Sequence, residues 1–274
     1  MSNRDSIIEG FRSKINAGRA LMGSGAGNGL SARCAELAQI DFIVVYNSGR
    51  YRMAGRSSMA GLLPYGDANA IVMEMAAEIL SVVRETPVIA GVCGTDPFRV
   101  MPRFLEEIKE AGFRGVQNYP TVCRFDGNFR INLEETGLGF DREVEMIATA
   151  RELDLLTVSY VTTVDEIEAM THAGADILVP HVGVTASGIT GAHTTMSLDE
   201  AITQTRQLAE AAHRIRPEAL VLCHGGPIVG PSDAASVISA VDGVVGFLGA
   251  SSMERLPAEE ATLDLMRQFV QITI

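Results

Sequence analysis

Two of the five histidines sit in short apolar, glycine-bearing settings: His181 in VPHVG (residues 179–183) and His224 in HGGPI (residues 224–228). Imidazole changes charge nearest neutral pH, so each is a candidate general acid or base. A structural histidine satisfied by its own hydrogen bonds is the competing account. Asp96, in GTDPFR (residues 94–99), is a carboxylate suited to binding a metal or orienting a histidine. Its place before Pro97 is also that of a helix N-cap. Glu134 and Glu135, in GNFRINLEETG (residues 127–137), are either acid–base carboxylates or solvated ones. Gly225 and Gly226, with Gly249, Ser251 and Ser252 of GASSMERL (residues 249–256), could cradle an anion on backbone N–H and hydroxyl groups. The bland account of Gly225–Gly226–Pro227 is a tight turn. A long segment, NSGRYRMAGRSSMAGLLPYGDAN (residues 47–69), concentrates Arg50, Arg52 and Arg56 in an acidic protein. Arginine grips carboxylate or phosphate through paired hydrogen bonds, so these are candidate substrate clamps or a lid. They serve equally well as ion-pair partners for acids on a neighbouring subunit. His172 and His213 read as structural, and His193 in TGAHTT stays open.

Several chemistries are disfavoured. The run GSGAGNG (residues 23–29) fails the dinucleotide fingerprint, because Asn28 and Leu30 stand where its third glycine is required; NAD is not expected. No lysine follows a glycine loop in the manner of a nucleotide triphosphatase. The lysines are Lys14 and Lys109, neither in a strand, so a Schiff-base mechanism, with or without PLP, is not expected. The four cysteines are scattered without a CxxC pair, which reads as reduced and buried rather than zinc-binding or disulfide-bonded. A formal charge of −12, from 34 acidic against 22 basic residues, repels nucleic acid and anionic membrane. The charged first residues do not resemble a secretory signal, and apolar runs fall far short of the roughly 20 residues of a membrane span. A cytoplasmic protein is expected.

These residues must be positioned by short β-branched strands that alternate with helical patterns. Strands are expected at 20–22, 42–46, 87–92, 115–117, 155–161, 176–180, 219–223 and 244–248. Helices are expected at 30–39, 67–83, 99–111, 142–153, 164–173, 198–215, 232–240 and 257–270. Residues 4–14 form an extra helix over the barrel bottom. Eight such units, with strands apolar on both faces, predict one α/β domain over residues 1–274: a single (β/α)8 TIM barrel with an N-terminal extra helix. An open doubly wound sheet is the alternative. Active sites of such barrels gather after the strands. There the chain places Asn47, Asp96, Asn118, Tyr160, His181, His224, Ser251 and Ser252.

The segments YNSGRYRMAGRSSMAGLLPYGDAN, AGVCGTDPFR, GVQNYPTVCRFDGNFRINLEETGLGF, LCHGGPI and GASSMERLP together resemble the phosphoenolpyruvate hydrolase-like barrels, also called the TIM-barrel signal-transduction family. The resemblance covers nearly the whole chain. It implies an enzyme, a hydrolase or lyase of a small phosphorylated or carboxylated 2-oxo acid such as phosphoenolpyruvate or phosphonopyruvate. It also implies a divalent metal such as Mg2+, with Asp96 the candidate ligand, although no second metal-binding aspartate stands beside it. In this reading the loops after strands seven and eight hold the anion. Arg50 and Arg56 close over it, Asn47 and Asn118 position the carbonyl, and His224 or His181 moves the proton. The other readings are a ligand-sensing or protein-binding barrel without turnover, and a C–C lyase or thioester-forming enzyme served by an ATP-binding partner protein. A homo-oligomer is expected.

Overall fold

The computed structural model describes residues 3–273. Its core is a closed barrel of eight parallel strands in chain order, β1 (Leu21–Gly25), β2 (Phe42–Val45), β3 (Val88–Val92), β4 (Gly115–Asn118), β5 (Leu156–Val161), β6 (Ile177–Pro180), β7 (Leu220–Cys223) and β8 (Val244–Gly249). β8 pairs with β1, Leu21 against Gly246, which removes both sheet edges. Nearly every strand residue is buried, as expected where a barrel interior lies on one face and helices on the other.

Among the described residues ten helices surround or extend the strands before the last one: α1 (Asn3–Asn16), α2 (Gly29–Leu37), α3 (Asn47–Met53), α4 (Ala68–Leu80), α5 (Met101–Ala111), α6 (Gly127–Glu135), α7 (Asp141–Glu152), α8 (Val164–His172), α9 (Leu198–Ile215) and α10 (Pro231–Ala240). The last is α11 (Arg255–Val270). Side-chain caps fix several starts: Asp67 accepts from Ala70 N, and Thr163 and Ser197 each form a capping box with a glutamate three residues on. The N-terminal helix α1 closes the bottom. Phe11 is buried with its ring 6.0 Å from that of Phe42, Lys14 binds Asp41 at 2.6 Å, and Arg4 Nε donates to Asp176 at 2.9 Å.

The expected strands are all present within a few residues, but three details differ. The segments after β2 and β4 are not plain loops: they carry α3 and α6, each with a neighbouring 3-10 turn at Ser58–Leu62 or Val122–Arg124. The helix after β3 starts at Met101 rather than 99, because Asp96 closes a turn onto Phe98 N (2.9 Å) instead of capping the helix. Finally, α11 does not lie against the barrel. It is exposed from Glu260 to Val270, Phe269 at 64% and Met266 at 60%, while an apolar groove of about 410 Å3 opens between α10, β8 and β1. Among the described residues no helix is long and apolar enough to cross a membrane.

Candidate active site at the carboxyl ends of the strands

Where β6 and β7 end, His181 and His224 continue their pairing by one parallel bridge, with Val182 N donating to His224 O at 3.1 Å. That extra rung sets the two imidazoles side by side, ring centres 4.7 Å apart. Tyr160 of β5 packs on both, at 5.0 Å from His181 and 4.8 Å from His224, and Tyr46 at the end of β2 stacks on Tyr160 at 6.2 Å. The four rings wall a chamber of about 50 Å3, completed by Arg52, Tyr119, Arg124, Ser48, Ser58 and Ser251. Gly225 lets the wall close: its φ is +84°, and a Cβ there would collide with the Gly183 carbonyl oxygen.

Hydrogen bonds assign the imidazole protons. His224 Nδ1 lies 2.6 Å from the Leu248 carbonyl oxygen, which only accepts, so Nδ1 carries a hydrogen and Nε2, 3.2 Å from Tyr160 Oη, is a lone pair in the neutral ring. His181 has the other tautomer. Its Nδ1 accepts from Gly183 N at 3.2 Å, leaving Nε2–H as a donor with no protein partner among the described residues. Burial drives His224 down to about 4 and His181 well below its usual value, with Arg124 pushing both the same way. Burial also raises both Tyr160 and Tyr46 well above an ordinary phenol. At neutral pH all four rings are uncharged.

Charge enters from two arginines with different roles. Arg52 is buried with Glu254: Nε donates to Glu254 Oε1 at 2.5 Å, Nη1 donates to Ser48 Oγ at 3.0 Å, and Glu254 Oε2 accepts from Gly27 N at 2.7 Å. Arg52 Nη2 is equally near Glu254 Oε1 yet aims no hydrogen at it, and is a buried donor without a hydrogen-bond partner. The pair is neutral overall and ties together the loops after β1, β2 and β8. Arg124, half-buried, has no ion-pair partner among the described residues. It lines both the chamber and an adjoining cleft of about 750 Å3 between the loops after β4, β5 and β6. Position 124 carries the one unneutralised cation that the structure brings to the chamber wall among the described residues. Nothing in its local sequence, TVCRFD, distinguishes it from a surface arginine.

The other expected site residues divide. Ser251 lies in the chamber wall, 3.3 Å from Ser58 Oγ, whereas Ser252 faces the groove beside α10. Gly225 and Gly226 pack the β7 loop onto the β6 loop, Gly226 N being spent on Gly183 O at 2.9 Å, and Gly249 gives room to the Met253 side chain. An open anion cradle is therefore not formed by these glycines. Arg50 turns outward to Glu74 (2.7 Å) and Arg56 is exposed, so the clamp expected of them is absent; of the three arginines only Arg52 turns in. Asn47 holds the 3-10 turn through Gly61 O at 2.9 Å. Asn118 spends its amide on Glu143 (2.7 Å), Tyr160 O (3.0 Å) and Tyr160 N (2.7 Å), which fixes Tyr160 rather than a substrate carbonyl. Its partner Glu143 has no distinguishing signal in the sequence, since it sits in the first turn of α7, where an acidic residue is ordinary. Its carboxylate accepts from Val122 N at 2.6 Å and Thr121 Oγ1 at 2.7 Å, and burial raises it to about 7.

Glu134 lies in a helix and pairs with Arg130 at 2.6 Å while accepting from Phe140 N at 3.2 Å, on the rim of the outer cleft. Asp96 lines separate pockets, and its oxygens are taken by Asn69 Nδ2 (2.9 Å), Phe98 N (2.9 Å) and Arg99 Nε (3.1 Å). Three of the carboxylate's roughly four lone pairs are thus engaged, and it stands outside the chamber. Among the described residues no group of three or more His, Cys, Asp and Glu side chains is arranged to hold one. The rings and arginines of the chamber are likewise not the oxygen-rich donor set that Mg2+ takes.

A closed (β/α)8 barrel with a polar chamber at its strand ends defines the class. The chain belongs to the phosphoenolpyruvate hydrolase-like family, whose pattern matches residues 6–272. It is 55% identical over its full length to the ToMV susceptible protein tm-1(GCR26) and 54% identical to the ToMV resistance protein Tm-1(GCR237), both of Solanum lycopersicum. It spans 36% of the length of each. Among solved structures it resembles 2,3-dimethylmalate lyase, a PEP mutase/isocitrate lyase superfamily member (TM-score 0.63, 18% identity, 100% of this chain and 89% of that one). It also resembles phosphonopyruvate hydrolase in complex with oxalate and Mg2+ (0.63, 15%, 99% and 88%) and oxaloacetate acetylhydrolase (0.62, 15%, 93% and 84%). At such identities the likeness establishes the fold.

Proposed function

We propose that the chain is a hydrolase or lyase of a small 2-oxo acid whose carboxylate, rather than a phosphate, is the anchored group. The observation that carries this reading is a chamber of uncharged histidines and tyrosines with one unpaired cation, Arg124, at its edge. Arg52 adds no net charge because Glu254 neutralises it. A single guanidinium matches the one charge of a carboxylate group, whereas a phosphate group concentrates up to two charges at the same point and would be undercompensated there. The second carboxylate of a dicarboxylate would lie apart, in the outer cleft lined by Arg130. In this reading Arg124 takes the carboxylate and the His181 Nε2–H donates to the substrate carbonyl oxygen, a bond that strengthens as negative charge develops there. Tyr160 and His224 move the proton. The small chamber admits the reacting end, and the outer cleft takes the remainder.

Thermal shift with oxalate, oxaloacetate, phosphonopyruvate, phosphoenolpyruvate and inorganic phosphate, each with and without Mg2+ or Mn2+, tests this. A carboxylate ligand at about 100 times its Kd should add roughly 2.7 kcal/mol of stability, and Arg124→Ala should abolish the shift. Stronger shifts with phosphate compounds than with dicarboxylates would refute it. A second reading rests on the tomato relatives' names: a barrel that binds a ligand or partner without turning it over. It gives the same thermal shift but no product when the shifted ligand is incubated with stoichiometric protein.

We also propose that the active species is a homo-oligomer in which a second copy's α11 fills the groove beside α10. A helix after β8 belongs over the β8–β1 seam, and this chain's own helix stands away from it with Leu263, Met266 and Phe269 exposed. Reciprocal exchange about a two-fold axis satisfies both surfaces at once. Light scattering should show a dimer or a multiple of it, and Leu263→Glu with Phe269→Glu should lower the mass to that of one chain. A monomeric unaltered protein would overturn this assembly.

A further inference from the structure

Three short contacts run in series through the chamber wall: the Gln117 amide to Tyr46 Oη at 2.6 Å, Tyr46 Oη to Tyr160 Oη at 2.8 Å, and Tyr160 Oη to His224 Nε2 at 3.2 Å. Each needs one hydrogen between its two heavy atoms. His224 supplies none, because its hydrogen is on Nδ1 facing Leu248 O. If Gln117 offers Oε1 to Tyr46, two phenol hydrogens must serve three contacts, and one buried contact between two lone pairs, oxygen on oxygen or Tyr160 Oη on His224 Nε2, is left bare. In that orientation Gln117 Nε2 is also buried without any partner. Turning the amide over exchanges two atoms of nearly equal size. It supplies the missing hydrogen and removes the orphan donor, which is the costlier kind of unsatisfied buried group.

We propose that Gln117 presents Nε2 to Tyr46, and that the chain Gln117–Tyr46–Tyr160–His224 is a one-way proton relay in which Tyr160 Oη, not His224, meets the substrate. The transfer step rests on the 2-oxo acid reading above; the direction of the chain does not. Tyr160 Oη then accepts from Tyr46, donates to His224 Nε2 and keeps one lone pair for the chamber. A substrate proton arriving there leaves its bonding pair behind on the substrate as an enolate or hydroxide. The new O–H forms at Tyr160 as the old one breaks, and the displaced proton forms N–H at His224 Nε2. The phenol is neutral before and after, which suits a tyrosine whose ionisation burial pushes well above the ordinary phenol range. His224 is faced by Tyr160 from β5, His181 beyond β6 and the Leu248 carbonyl of β8, with Arg52 and Arg124 adding positive charge. The imidazolium so formed is a strong acid that readily returns its proton to a leaving group. Gln117 acts through Tyr46 and is a positioning residue.

Nitrogen-15 and proton NMR of the intact protein, labelled at histidine and glutamine, reads the chain without substrate. Expected are Nδ1-protonated, Nε2-unprotonated His224 from pH 5.5 to 8, and cross-relaxation from the Gln117 side-chain NH2 to the Tyr46 ring protons. Gln117→Glu, which can only accept when ionised, turns the chain round and should raise the His224 midpoint by at least about one pH unit. Tyr160→Phe should lower turnover by about 100-fold or more while His224 stays neutral. A His224 protonated on Nε2, a Gln117 NH2 remote from Tyr46, or an unmoved midpoint in Gln117→Glu overturns the relay. Wild-type turnover in Tyr160→Phe overturns its catalytic part. If the NMR signatures are found and no 2-oxo acid reacts with the unaltered protein, the functional reading fails and the chain's direction stands.

Discussion

His224→Gln should change how stability depends on pH by an amount the structure fixes. His224 ionises near 6.5 when unfolded and near 4 in the buried chamber. A depressed folded value means that the unfolded chain binds the proton better. The stabilising contribution is therefore complete above about pH 6.5 and is lost as the pH falls toward 4. Integrating the two titrations between pH 7 and pH 5 gives a loss of about 2 kcal/mol from this residue. The unaltered protein will not display it plainly, because Glu143 works in the opposite sense. Its folded value, raised from 4.5 to about 7, contributes stability that is complete at low pH and is lost as the pH rises through 7. Over the same interval that also amounts to about 2 kcal/mol. The readout is thus a difference: urea unfolding at pH 5 and pH 7 for the unaltered protein and for His224→Gln. The variant should lose about 2 kcal/mol less on going to pH 5 than the unaltered protein does. Equal changes in the two proteins would mean that His224 is not held neutral by burial, and the assignment of its tautomer would fall with it.

Glu143→Gln removes the opposing titration, so its stability should rise more steeply than the unaltered protein's from pH 5 to pH 7, by about 2 kcal/mol in the same urea experiment. Arg52→Met strands Glu254 in a buried site and should cost about 3–5 kcal/mol, while Arg52→Met with Glu254→Met should recover most of that loss. A double variant no more stable than Arg52→Met would show that the pair is not buried as described. Gly225→Ala forces a side chain into a left-handed conformation against the Gly183 carbonyl, so we expect a loss of about 2 kcal/mol or more in thermal unfolding. The same change should weaken ligand binding in the chamber, because His181 and His224 are held by that loop contact.

The alternation of apolar strands with helical segments was enough to determine the barrel, because a parallel strand buried on both faces leaves a continuous β-branched run in the chain. Strand ends were also legible, and with them the gathering of Tyr160, His181, His224 and Ser251 at the carboxyl ends of strands five to eight. What the sequence could not decide was which polar residue beside a strand end turns inward. Arg50, Arg52 and Arg56 look equivalent along the chain, yet one turn of α3 sends Arg52 to Glu254 and Arg50 to Glu74. Arg124 reads as ordinary, and only the curl of the β4 loop carries it to the chamber unpaired. Asp96 and Asn118 sit where functional residues belong, but much of their bonding capacity is taken by Asn69, Arg99 and Glu143, partners 3 to 27 residues away. Hydrogen-bond saturation and ion pairing depend on atoms brought together across the barrel, so residue type and spacing determined the architecture while tertiary contacts decided which groups remain free for chemistry.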